Sequence, residues 1–254
     1  MQLAEIIAQI ENVAPLCAAA PWDTSGMQVA ARRTEIQHLA LCLDPTPQSL
    51  AAAVALGATL VLSHHPLALK PRLPAQLDSY HAALSLLFQH DVALYAAHTS
   101  LDANPEGCVS WLAQELGLTE TNILEPTSPG YGFGCCGNCP PCTLEGLLAS
   151  LKQHVHLGTA TLSGSCPARI QRIAYCTGSG ASLIDAAKAA GADIFITGDV
   201  KYHAALEAEV CVLDVGHHSL EEEMMRRFAA LLAPRLAAVR VSFIPSQSPF
   251  THVS

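Results

Sequence analysis

With 254 residues, half of them hydrophobic and 14% charged, the chain can bury a sizeable core as one large domain or two small ones. Its 13 Lys and Arg against 22 Asp and Glu give a formal net charge of -9, which repels phosphate backbones and argues against nucleic acid as a main partner. No stretch reaches the roughly 18 to 20 uninterrupted apolar residues of a membrane span, so no membrane partner is expected. The start, MQLAEIIAQIENVAP, has the spacing of an amphipathic helix and lacks the basic region and small-residue cleavage site of a signal peptide. Most of the ten cysteines stand singly in apolar runs, as at Cys17, Cys42, Cys108, Cys176 and Cys211. That is how small core residues are used in a reducing compartment, and a soluble cytoplasmic protein is expected.

Strand-like and helix-like runs then alternate. HLALCLD (38–44) reads as a buried strand, PQSLAAAVAL (47–56) as a helix opened by Pro47, and ATLVLSHH (58–65) as a second strand, the rhythm of an α/β protein. SYHAALSLLFQH (79–90) reads as helix, DVALYAAH (91–98) as strand and EGCVSWLAQELG (106–117) as a helix closed by Gly117. In EPTSPGYGFGCCGNCPPC (125–142) Pro, Gly and Cys displace the periodic apolar residues, which predicts a linker or structured loop. Beyond it come a helix capped by Thr143, a strand at 172–176, a helix at 182–191, a strand at 192–197, a helix at 202–209 and a strand at 210–215. A long helix from His217 and a strand at 237–244 end the series. The expected architecture is two similar α/β lobes with a metal-binding cleft between them. Residues 1–125, completed by 217–254, form the first lobe; residues 126–216, with a Cys-rich loop at 135–142, form the second.

Ligand-type side chains gather at the predicted carboxyl ends of strands, where open α/β sheets bind ligands. His64 and His65 close one strand just before Pro66, and adjacent imidazoles there leave ring nitrogens in need of partners. A metal satisfies such a pair, as do caps or core hydrogen bonds. His98 and Asp102 close another strand, and Asp199, Lys201 and His203 a third. At the fourth, Gly216 precedes His217, and Glu221 lies four residues on, on the same helical face. Several histidines with two carboxylates suit Zn, Mn or Fe better than Ca or Mg. More ligands than one tetrahedral ion needs point to two bridged ions with open positions for water and substrate. His218, Glu222 and Glu223 are read as the solvated face of the last helix.

WDTSGMQV, LSHHPL, YAAHTSLDA, GSGASLI, GADIFITGDVKYH and DVGHHSLEE, in this order, resemble the motif series of the Nif-three-like dinuclear-metal-centre family, whose members are often called GTP cyclohydrolase I type 2 homologues. The resemblance spans about residues 22–223. It implies a cytoplasmic two-lobed α/β protein assembled as a toroidal homohexamer, with two divalent metal ions per subunit. Its metal ligands fall on His64, His65, Asp102, His217 and Glu221, and His98 matches a histidine beside the metals, here taken as a group that supports the ligands from behind or as a proton shuttle. The implied function is a metal-dependent hydrolase of a small-molecule substrate such as a nucleotide. The alternative is a non-catalytic hexameric metal-binding scaffold, a metal-delivery protein or a regulator.

The chain departs from that family at Cys135, Cys136, Cys139 and Cys142, whose overlapping C-x-x-C spacings are open to zinc, an iron-sulfur cluster, a redox disulfide or plain thiols in a loop. Gly178 and Gly180 suggest either an anion-cradling turn or close strand-to-helix packing. Asp199, Lys201 and His203 either line the cleft or form a polar network, and Trp22 and Asp23 anchor a loop.

Overall fold

The computed structural model describes residues 1–250. The chain divides into two compact units, one of Met1–Leu101 with Met225–Ser246, the other built on Asp102–Met224. The expected α/β class is what is observed, with one mixed sheet in each unit.

The first unit opens with α1 (Leu3–Glu11), whose Ile6 and Ile10 are fully buried. It continues through β1 (Gly26–Val29), β2 (His38–Cys42), α2 (Pro47–Ala55), β3 (Leu60–Ser63), α3 (Ser79–His90), β4 (Ala93–Ala96) and the short α4 (Thr99–Asp102), whose last residue crosses into the second unit. Thr46 caps α2 by accepting from the Ser49 amide at 3.1 Å, with Pro47 supplying a helix-ready φ at the first position. Every residue of β2, β3 and β4 is buried, as parallel strands covered on both faces must be. Leu50 and Ala53 of α2 and Ala83 and Leu87 of α3 pack with Ala40, Val61 and Leu94 of the sheet. Each large apolar side chain so buried contributes about 1.5–3 kcal/mol.

The second unit holds α5 (Trp111–Glu115), β5 (Thr119–Ser128), β6 (Tyr131–Cys142), α6 (Leu144–Leu151), β7 (Thr161–Ser163), β8 (Ile170–Ser179), α7 (Ile184–Ala189), β9 (Ile194–Gly198), α8 (Tyr202–Glu207) and β10 (Cys211–Asp214). Its sheet runs β5-β6-β8-β9-β10-β7. The predicted linker at 125–142 is instead most of a long antiparallel hairpin, closed where Ser128 faces Tyr131 across Pro129-Gly130. Its glycines misled the composition argument: side chains at Gly132 and Gly137 would collide with the neighbouring strand, so these residues allow two backbones to pair closely rather than interrupting a strand. The hairpin pairs with β8 within the second unit.

Helix α9 (His217–Arg235) carries its first turns in the second unit and Met225 onward in the first. Strand β11 (Arg240–Phe243) then lies parallel to β2 and completes the order β1-β4-β3-β2-β11.

Candidate metal centre

Strand register explains why the histidines of the first unit meet. Strands β2, β3 and β4 are parallel and in step, with Cys42 opposite Ser63 and Ser63 opposite Ala96. Two residues further along each chain come Asp44, His65 and His98; one residue further on the last two come His64 and Ala97. The ring nitrogens of His64, His65 and His98 accordingly lie within 4.8 Å of one another, with ring centroids 5.0 to 5.5 Å apart.

Each imidazole is oriented through Nδ1. His64, fully buried, donates Nδ1–H to the Ala97 carbonyl at 2.8 Å. His65 Nδ1 meets Asp44 Oδ1 at 2.8 Å and His98 Nδ1 meets Asp23 Oδ1 at 2.8 Å. A carbonyl or carboxylate at Nδ1 places the proton there and makes Nε2 the lone-pair nitrogen, the arrangement that supports imidazole as a metal donor.

Asp23 does more than anchor a loop. Its buried carboxylate also accepts from the Thr24 amide (2.7 Å), Ser25 Oγ (2.6 Å), the Thr99 amide (3.1 Å) and Thr99 Oγ1 (2.6 Å). Burial works to raise its pKa, but the hydrogen bonds and the charge of His98 outweigh burial and hold the group well below the usual carboxylate range.

The second unit supplies its own His–carboxylate pair. His217 Nε2 lies 2.8 Å from Glu221 Oε2, one helical turn along α9, and its Nδ1 lies 2.7 Å from Asp199 Oδ2. Burial opposes the imidazolium, yet Glu221 and then Asp199 more than compensate and hold His217 up to about 9. Asp199 sits at φ 59, a conformation uncommon for a residue other than glycine. Glu221 is 3% exposed, and burial first, then the charges of Asp102 and Glu221, push the Cys176 thiol up, which places both carboxylates near the end of β8.

Two glycines let this cluster close. A Cβ on Gly198 would overlap the His217 backbone nitrogen, and one on Gly178, at φ +64, would overlap Glu221 Oε1. Gly180 is likewise pressed on Thr197, whose Oγ1 accepts the Gly180 amide at 2.9 Å; close packing accounts for this glycine pair. Gly178→Ala should therefore destabilise the fold by about 1–3 kcal/mol more than Gly191→Ala, because both carry left-handed strain and only Gly178 must also displace a buried carboxylate. Urea unfolding midpoints of the two variants check this.

Of the residues singled out in the sequence, His64, His65 and His98 converge in one unit, and His217 and Glu221 pair in the other. Asp102 ends α4, half-buried. Lys201 and His203 are exposed at the start of α8 and reach none of these groups among the described contacts. Glu223 is buried and His218 and Glu222 half-buried, so the fully solvated face assigned to them is corrected. The sequence reading missed Asp44 altogether. Its position, at the end of the strand beside the one carrying His65, was the available signal.

Cys135, Cys136, Cys139 and Cys142 lie on strand β6 rather than in a loop. Cys136 is fully buried in the core with Ala174 and Phe195, while Cys135 contacts Tyr175. Adjacent residues of a strand face opposite ways, so the four thiols do not converge on one ion.

A family model for Duf34/NIF3 (NGG1p interacting factor 3) matches residues 1–249. The chain belongs to the DUF34/NIF3 family. A GTP cyclohydrolase 1 type 2 homolog of Streptococcus pneumoniae is 32% identical, with all of both chains covered. HcgD of Methanocaldococcus jannaschii, solved in a reduced form, is 27% identical over 96% of this chain and 97% of its own, with a TM-score of 0.84. A Bacillus cereus protein related to NIF3 superposes with a TM-score of 0.90 over 100% and 99% of the two chains at 22% identity, a likeness of fold. In this DUF34/NIF3 member the clustered imidazoles and the half-buried His217 with its buried partner Glu221 could hold a metal ion. No helix is long and apolar enough to cross a membrane among the described residues.

Proposed function

We propose that this DUF34/NIF3 protein is a dinuclear metal-dependent hydrolase of the GTP cyclohydrolase I type 2 kind, with His64, His65, Asp102, His217 and Glu221 as the metal ligands. The observation that carries the reading is the clustering of three imidazoles, each tied through Nδ1 and turned to offer Nε2. The donor set fits: neutral imidazoles and carboxylates suit borderline first-row divalent ions such as Zn, Fe or Mn. Bound there, a pair of such ions supplies Lewis acidity and lowers the pKa of water toward neutrality.

The chain's own residues do the rest. Asp44 and Asp199 orient the rings of His65 and His217 through Nδ1. His98, its Nδ1 held by Asp23, turns Nε2 to the site and moves a proton between water and the leaving group. The substrate class is a small molecule, a nucleotide by analogy with the relatives' names. We further propose a cytoplasmic homohexameric toroid, supported by the family resemblance and by α8, which buries none of its residues and exposes Tyr202 and Leu206.

The test is elemental analysis of freshly purified protein, followed by a screen of nucleotides and phosphoesters with and without chelator. Bound metal with chelator-sensitive, metal-restorable turnover supports the hydrolase. Bound metal without turnover on any substrate leaves the metal-binding scaffold in its place.

A further inference from the structure

The register of β6 against β8 brings two thiols together at the end of β8 away from the His217–Glu221 pair. Asn138 pairs with Arg172 and Cys142 with Ile170: four steps along β6 are matched by two along β8. Two residues must therefore bulge out of the ladder, and Pro140 and Pro141, both exposed and unable to serve it as donors, take that place. The bulge shortens the distance from Asn138 to Cys142 to about two strand steps, roughly 7 Å, with Cys139 lying between. Cys139 Sγ lies 3.7 Å from the carbonyl of Ile170, the residue that pairs with Cys142, and Cys139 and Cys142 are within hydrogen-bonding reach of each other. Disulfides require Cα separations of about 4.4–6.8 Å, and Cys139 lies inside the roughly 7 Å interval that ends at Cys142.

We propose that Cys139 and Cys142 form a reversible redox pair, a dithiol that closes to a disulfide on exposure to peroxide. One thiol gives up its proton and attacks hydrogen peroxide: an S–O bond forms, the O–O bond breaks, and the departing hydroxide takes that proton, giving a sulfenic acid and water. The second thiol then attacks that sulfur, the S–O bond breaks and a second water leaves. Two electrons pass from the sulfurs to the peroxide oxygens, and a small-molecule thiol reverses the bond by exchange. Both thiols are half-buried and so remain accessible to a small oxidant. Burial first, then Cys142 and Asp193, push the Cys139 thiol up to about 11, so at neutral pH Cys139 is a neutral thiol and serves as the resolving partner, which attacks the sulfur that has already been oxidised. Along β8, Ile170 and Gly178 lie at opposite ends, about 26 Å apart at ~3.3 Å per residue, so the pair is distinct from the His217–Glu221 cluster.

The test is mass spectrometry of the full-length protein after brief hydrogen peroxide treatment, alkylation under denaturing conditions and cleavage after Glu120 and Glu145, the Glu125–Pro126 bond being resistant. The fragment 121–145 should lose two hydrogens, about 2 Da, with the bond mapped to Cys139 and Cys142 and reversed by dithiothreitol. Cys139→Ser and Cys142→Ser should each abolish that loss, whereas Cys135→Ser should retain it. The proposal is overturned if the fragment stays fully alkylated while other cysteines oxidise, if the bond maps to Cys135 or Cys136, or if the loss survives in either serine variant.

Discussion

In a Glu221→Gln variant, divalent metal affinity should fall by about 100-fold or more while the fold persists. Glu221 is 3% exposed and 2.8 Å from His217 Nε2, and glutamine keeps its shape while removing the charge that would neutralise a cation in that pocket. Even residues that only orient ligands cost about 10–100-fold in metal affinity when changed, so a direct ligand should cost at least the upper end. His65→Ala tests the other cluster in the same way. Competition against a chromophoric chelator, with metal per chain from elemental analysis, gives the affinity, and circular dichroism monitors the fold. Full metal retention in both variants would remove the basis for the dinuclear reading, and turnover, where found, should disappear with the metal.

Asp23→Ala should be among the most damaging single changes outside the hydrophobic core. The carboxylate accepts from the amide of Thr24, the hydroxyl of Ser25, the ring of His98 and both the amide and hydroxyl of Thr99. Removing it leaves buried donors unmatched at about 1–3 kcal/mol each, for a total of about 3–5 kcal/mol after relaxation. For a chain of this length that lowers the melting temperature by about 10 °C. The pH dependence has a definite sign. Because folding depresses this pKa below its ordinary 3.8, the unfolded chain takes up the proton first, so the contribution is complete above that value and is lost as the pH falls. Asp23→Asn, with nothing to ionise, should show a shallower loss of stability on acidification. Urea unfolding midpoints at neutral and acidic pH distinguish the two; equal slopes would exclude Asp23 as an acid-sensitive contact.

The α/β alternation was legible in the sequence because the covered parallel strands are uninterrupted runs, as in LALC and LVLS, flanked by capped helices. Strands β1 and β7 were not, because their pairing is decided by partners distant in sequence, and the β5–β6 hairpin was not, because Gly132 and Gly137 look like breakers until the opposing strand is known. The clustered side chains were legible as candidates because His64, His65, His98, His217 and Glu221 sit where strands end and helices begin. Their supports were harder to see, since an isolated aspartate such as Asp44 or Asp23 has no periodicity. Only lateral alignment between strands reveals what it accepts. The cysteine segment failed for a similar reason: spacing suggested convergence, whereas strand alternation parts Cys135 from Cys136.

The in-step ends of β2, β3 and β4 also determine where this protein can accommodate insertions and deletions. From Leu60 to His65 the residue count is fixed, since losing one would bring Pro66 alongside Asp44 and strand its carboxylate without an imidazole. The following segment, with Leu69, Leu73 and Leu77 exposed to solvent, carries no such constraint and can lengthen or shorten without disturbing the histidines.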